Sequence, residues 1–274
     1  MTAGAPAAAA WAAALEEWAI PQEILDAAPE PPWSFPRALF AWTPEPTATG
    51  ESGADIPLPT SRRRALEALP DGGSVLDVGV GGGRASLPLV PPAGSVVGVD
   101  SSEELLAAFT QAAERLAVPH GEVLGKWPDV AGQVAPADVV VCHHVAYNVA
   151  DLVPFAWALT DHARNRVVME LTATHPTSNL NPAWRALHGL ERPTRPTADD
   201  AVAVLEEMGL RVVAEPNQRV VTPSGQNRAE RVAFARRRLC VGPERDAEVD
   251  RLLGPEFERP LRDVMTMWWD GQAR

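Results

Sequence analysis

From Thr60 onward the chain alternates short apolar runs, bounded by glycine and proline, with longer amphipathic stretches. That rhythm predicts strands and helices in turn, the pattern of a βαβ sheet. Residues 61–69 predict a helix ended by Pro70-Asp71-Gly72-Gly73, and 74–78 a strand that runs at once into glycines. Residues 95–99 predict the next strand, and 103–116 a helix with Ser101 or Ser102 as its cap. A brief strand at 121–124 precedes 138–142, whose valines suit a central position buried on both faces. Residues 151–162 predict a helix and 166–171 a strand. An irregular stretch, 172–196, carries Pro176, Pro182, Pro193 and Pro196, and a helix over 199–208 follows, capped by Thr197 and stopped by Gly209. Beyond it, 211–215 and 230–236 predict an antiparallel strand pair at one sheet edge. The last amphipathic segment, 260–269, predicts a helical tail docking through Val264, Met267 and Trp268.

Ahead of this pattern lies an aromatic, proline-rich lead-in with Trp11, Trp18, Trp33, Phe35, Phe40 and Trp42. Residues 8–18 and 22–27 predict short helices, and 47–59, rich in Pro, Gly, Ser and Thr, a linker. The expected division is a helical extension or lid at 1–58, a main domain at 59–240, and a helical tail at 241–274.

The formal charge of −12 disfavours nucleic acid as a partner, since that binding neutralises phosphates with basic side chains. The triplets Arg62-Arg63-Arg64 and Arg236-Arg237-Arg238 are local exceptions, expected as solvated faces or a strand end. Two cysteines without a CxxC pairing suggest neither a disulfide framework nor zinc. No run approaches the ~18 apolar residues of a membrane span. The expected setting is cytoplasmic, with a small-molecule substrate, no nucleic acid, no membrane, and a monomer or homodimer.

The informative stretch is Val75-Leu76-Asp77-Val78-Gly79-Val80-Gly81-Gly82-Gly83-Arg84, an apolar strand entering a glycine turn that is expected to open a helix. Glycines let the backbone turn tightly and lie against a ligand, a geometry that also serves dinucleotides. Arg84 stands where that fingerprint needs its third glycine. Asp77 suits a cationic amino group and repels a pyrophosphate, and Asp100 can accept both hydroxyls of a ribose.

Asp77-x-Gly79-x-Gly81-x-Gly83, with Asp100 ending the second strand, resembles motif I and the following acidic position of class I S-adenosylmethionine-dependent methyltransferases. The resemblance spans roughly residues 60–240. It implies a three-layer Rossmann-like α/β fold, a seven-stranded, mostly parallel sheet whose final hairpin supplies the one antiparallel strand. It implies S-adenosylmethionine as cofactor, held by Asp77, Gly79, Gly81, Gly83, Asp100 and Ser101. The acidic residue that such enzymes often place after the third strand is replaced by Gly125-Lys126-Trp127. Trp127 either packs on the adenine or turns into the body, and Asp129 is the alternative acceptor.

Ligands in such sheets bind beyond the carboxyl ends of the strands, where the fourth strand delivers Cys142-His143-His144-Val145-Ala146-Tyr147. Adjacent strand residues point to opposite faces, so the two histidines are not expected to share a metal. His143 is expected beside the cofactor, and His144, with Tyr147, in the catalytic role. His175 and Trp184, with Trp33 and Phe40, are candidates for a substrate pocket. Tryptophans at such spacing equally serve to anchor an extension on its domain. Besides methyl transfer to an O or N atom of a small molecule, a protein methyltransferase and a non-catalytic cofactor-binding module fit the same motifs.

Overall fold

The computed structural model describes residues 6–33, 58–220, 228–254 and 261–273. Seven strands form one sheet in the order β3-β2-β1-β4-β5-β7-β6. In chain order they are β1 (Ser74–Val78), β2 (Ser95–Asp100), β3 (His120–Leu124), β4 (Ala137–His143), β5 (Ala163–Thr172), β6 (Val213–Val220) and β7 (Leu261–Asp270). The first five pair in parallel. β7 lies antiparallel between β5 and β6. Strand order reverses at β1, so a crevice opens beyond the carboxyl ends of β1 and β4, the usual ligand position in open α/β sheets.

Helices cover both faces. On one side α1 (Pro6–Glu16), α5 (Leu152–His162) and α7 (Ala198–Glu207) cover Leu76, Val140, Val167, Met169 and Trp269. On the other, α3 (Thr60–Leu66) and α4 (Glu103–Arg115) cover Val75, Val96, Val139, Val141 and Val168. Ser102 caps α4 by accepting from the Leu105 N–H at 3.3 Å, and Thr197 with Asp200 forms a capping box on α7.

Three expectations about secondary structure need correction. Residues 230–236 are not a strand but part of α8 (Arg228–Arg238), which buries Val232, Ala235 and Arg236 at helical spacing. The tail is not a helix: Leu261–Asp270 is β7, inside the sheet, so the sheet unit does not end at residue 240. The glycine turn opens no α-helix either. Glycines 81–83, Pro88, Pro91 and Pro92 leave only a single 3-10 turn at Leu87–Leu89 before β2, because glycine and proline both disfavour helix interiors.

The chain between β6 and β7 contributes α8 and α9 (Asp246–Leu252). These pack with α6 (Asn181–His188) and with Ile20, Ile24 and Leu25, the last two on α2 (Gln22–Ala27), as a separate apolar cluster. β6 ends and β7 begins at the same edge as the carboxyl ends of the parallel strands. The cluster is therefore tethered at the crevice side of the sheet.

The described part of the lead-in is bound to the body. Trp11 is 1 % exposed and donates to the Val149 carbonyl at 2.8 Å, and Trp18 donates to the Arg195 carbonyl at 2.6 Å. Arg236 pairs with Glu30 at 3.3 Å and is itself buried, so the second arginine triplet is not a solvated face. Phe35, Phe40, Trp42 and most of the expected linker lie outside the described residues.

Candidate active site

The glycine turn is left-handed at Gly79, Gly81 and Gly83, with φ of 75°, 52° and 85°. A Cβ on Gly79 would sit 2.2 Å from a Val145 methyl. The turn is thus locked against the segment that follows β4. Its N–H groups are largely used internally: Gly79 and Val80 donate to the Val99 carbonyl at 2.8 and 3.0 Å. Gly81 donates to Asp100 Oδ2 at 2.9 Å. With no helix N-terminus behind it and its amides engaged, the turn offers little to a pyrophosphate.

Asp100 is half-buried, and the Ser102 N–H fixes its other oxygen at 3.0 Å. Each oxygen accepts one amide and keeps a further acceptor position, enough for a vicinal diol. Ser101 beside it is exposed. Asp77 is 1 % exposed; Ser86 donates to its Oδ2 at 2.6 Å, while Oδ1 is buried without a partner. Burial pushes its carboxyl up to about 7, against the Ser86 hydrogen bond. An unpartnered carboxylate oxygen under the turn fits a cationic group arriving there.

At the end of β4 the backbone of His144 is left-handed, φ 60°, a conformation uncommon for a residue with a Cβ. This ends the strand alternation. The two histidines do not part to opposite faces, and their ring centroids lie 6.4 Å apart. His144 Nε2 lies 3.3 Å from Glu170 Oε1, and its N–H donates to the Glu170 carbonyl at 2.7 Å. Glu170 has no exposed side chain and also accepts from Arg219. Burial opposes its ionisation, but His144, His143 and Arg219 hold its carboxyl well below the usual range. His143 is kept neutral, its pKa lowered by burial to about 3, with Nε2 buried and unpartnered.

The remaining candidates are placed elsewhere. Tyr147 donates to the Thr172 carbonyl at 2.8 Å and stacks on Trp11, and burial raises its pKa further. Such a phenol keeps its proton at neutral pH. His175 stacks on Trp18 at 3.8 Å between centroids, and burial lowers its pKa to about 4. Trp184 is buried under the Arg192 guanidinium. Trp127 is buried too, donating to the Phe155 carbonyl at 3.3 Å. Trp33 is exposed and lies under Arg238. Glu170 and Arg219 were missed by sequence reasoning, although a lone acid in Val167-Val168-Met169-Glu170-Leu171 signals a buried charge needing a partner. Among the described residues no metal-binding cluster is present.

Residues 75–164 match the protein family described as a methyltransferase domain. Over that stretch the chain is similar to methyltransferase domains, and the sheet that contains it has the Rossmann-like order described above. The acidic residues and glycine turn described above fit S-adenosylmethionine. Among curated proteins no sequence matches. The fold is similar to that of the YcgJ protein from Bacillus subtilis, at 13% identity and a TM-score of 0.52, covering 78% of this chain and 99% of that one. It is likewise similar to a candidate sarcosine dimethylglycine methyltransferase from Galdieria sulphuraria, at 13% identity and a TM-score of 0.51, covering 77% and 82%.

Proposed function

We propose that this methyltransferase moves the methyl group of S-adenosylmethionine to an O or N atom of a small molecule, with His144 as the base. The observation that carries the reading is the pairing of His144 with buried Glu170 at the carboxyl edge of the sheet. S-adenosylmethionine, when bound, supplies an electrophilic methyl carbon on its sulfonium. Asp100 and the glycine turn hold the adenosyl end, and Asp77 attracts the amino group.

Glu170, ionised and inaccessible to water, accepts the Nε2–H of His144 and so leaves Nδ1 as the basic nitrogen. The acceptor's lone pair takes the methyl carbon while its proton passes to Nδ1. Products are S-adenosylhomocysteine, the methylated acceptor and a protonated imidazole that returns its proton to water. Position and alignment supply much of the rate, and the base a further ~10²–10⁴. Loss of the positive sulfonium favours a dry site, for which the helices inserted before α7 and between β6 and β7 are suited.

The acceptor as a small molecule rests on the motif resemblance and on the crevice expected beyond the carboxyl ends of β1 and β4. Free, buried Cys142 and Cys240 fit a reducing, cytoplasmic setting. No helix among the described residues is long and apolar enough to cross a membrane. The test is release of S-adenosylhomocysteine from labelled cofactor across a metabolite panel, with His144→Asn as control. Cofactor binding without turnover of any acceptor favours a non-catalytic module instead, and turnover confined to polypeptides a protein methyltransferase.

A further inference from the structure

Asp77 and Ser86, nine positions apart in the chain, meet beneath the glycine turn. Asp77 lies on β1 between Gly98 of β2 and Val141 of β4. Among the described residues its side chain makes one hydrogen bond, from the Ser86 hydroxyl to Oδ2 at 2.6 Å, and Oδ1 is buried without a partner. Ser86 is itself 0 % exposed. The single 3-10 turn that stands in place of the expected helix holds it there. The Leu87 N–H donates to the Gly83 carbonyl and the Leu89 N–H to the Ser86 carbonyl, both at 2.9 Å. A Cβ on Gly83 would lie 2.5 Å from a Leu87 methyl, so glycine lets this turn close. With no α-helix after the turn, no macrodipole supports the carboxylate. Burial drives Asp77 toward its neutral form, and the hydroxyl and backbone N–H of Ser86 oppose this. Asp100 repels its charge, and the buried Cys142 thiol on β4 is the other ionisable group coupled to it. The balance lies at about 7, so one hydrogen bond decides how much of Asp77 is charged near neutrality.

We infer that Ser86 is a positioning residue for the cofactor: its hydroxyl keeps Asp77 ionised beneath the turn, and that charge holds the ammonium of the cofactor's methionine end. The inference rests on the methyltransferase reading above, and adds to it a residue outside the glycine motif. Ser86 does not touch the ligand; it acts through Asp77. A buried charge is felt beyond contact distance, because its surroundings screen it weakly. A hydroxyl bonds a carboxylate more strongly than a neutral carboxyl, so Ser86 favours the charged form. Without that bond the Asp77 pKa rises by about one, and about a tenth of the carboxyl is charged at pH 7 where about half was before.

The experiment is calorimetry on the full chain with S-adenosylhomocysteine and with 5′-methylthioadenosine, which lacks the amino-acid end. Ser86→Ala should weaken S-adenosylhomocysteine about fivefold at pH 7 but under about twofold at pH 8.5, where Asp77 ionises without help. Affinity for 5′-methylthioadenosine should change by under about twofold at both pH values. In an Asp77→Asn background, Ser86→Ala should add nothing to the loss. Ser86→Cys, a weaker donor of similar size, should fall between native and alanine. It carries the test if circular dichroism shows the alanine variant unfolded. An equal loss of both ligands, or the same loss of S-adenosylhomocysteine at both pH values, makes Ser86 purely structural and overturns the inference. So does undiminished affinity for S-adenosylhomocysteine at pH 7. If the native chain binds neither ligand, it is the methyltransferase reading that fails, and the inference falls with it.

Discussion

The imidazole of His144 rests 3.3 Å from the carboxylate of Glu170, an acid without exposed surface one strand away. A buried carboxylate is tolerated when its charge is matched, and here His144 and Arg219 share that task. The left-handed backbone at His144 is what brings its ring there, since a continued strand would send it to the opposite face. Strain of this kind clusters at functional sites.

Glu170→Gln should keep the fold, keep S-adenosylhomocysteine affinity, and lower turnover by ~10-fold or more through a disordered tautomer. Nitrogen NMR of the histidines should show His144 protonated on Nε2 in the native protein and mixed in the variant. Glu170→Ala, which leaves cationic neighbours without their acid, should cost about 3–5 kcal/mol of stability by denaturant titration. An unchanged tautomer and rate in Glu170→Gln would remove Glu170 from the mechanism.

Asp77 gives a pH dependence of definite sign. Its folded pKa of about 7 lies above the unfolded value of roughly 3.9. Between these values the folded state binds more protons, so its contribution to stability is full below about pH 4 and is lost as pH rises through 7. Asp77→Asn, which still accepts from Ser86, should melt progressively higher than the native protein from pH 4 to 8. The difference should reach on the order of a few kcal/mol. The same variant should bind S-adenosylhomocysteine more weakly at pH 8, where the native carboxylate is charged. Parallel melting curves across that range would show that Asp77 stays ionised throughout.

Asp100→Ala removes both the ribose acceptor and the carboxylate that holds the Gly81 and Ser102 amides. Calorimetry should show S-adenosylhomocysteine weakened by roughly 1–3 kcal/mol. NAD should remain without measurable affinity in both proteins, since the turn's amides are engaged.

How much of this was legible in the chain differs by element. β1 to β5, α3 to α5 and α7 follow from periodicity and punctuation, because each buries one stripe or lies wholly inside. The glycine turn and Asp100 were legible as chemistry, since few other residues serve a tight turn against a ligand. The pairing of His144 with Glu170 was not, as it joins residues 26 positions apart across neighbouring strands and depends on one backbone angle. α8 misled because Val232 and Phe234 alternate, whereas its burial follows Val232, Ala235 and Leu239. The lead-in's tryptophans were ambiguous between lining a pocket and anchoring. Trp11 and Trp18 are anchors, each with its indole N–H on a backbone carbonyl. Trp11→Ala should accordingly cost about 3–5 kcal/mol in denaturant melts, where a lid residue would cost almost nothing.

The tail supplies the sharpest test of the fold. Its sequence, Leu261-Arg262-Asp263-Val264-Met265-Thr266-Met267-Trp268-Trp269-Asp270, reads as amphipathic because Val264, Met267 and Trp268 share a helical stripe. In the sheet the same residues serve both faces. Met267 and Trp269 enter the core under α5 and α7, while Trp268 packs on the other side under Arg64. A strand between two neighbours has no solvent face to alternate against, so the two-residue period is lost from the sequence. Thr266 is wholly buried, paired with Glu170 on β5 and Glu215 on β6. Proline there would remove a ladder hydrogen bond and clash within a central strand. Thr266→Pro, and equally a chain ending at residue 254, should yield insoluble or unfolded protein by circular dichroism. Conservative Thr266→Val should stay folded but less stable, having lost the hydroxyl that accepts from Asn217 at 3.1 Å. If Thr266→Pro folds with native stability and still binds S-adenosylhomocysteine, residues 261–270 are a peripheral tail and the sheet closes without them.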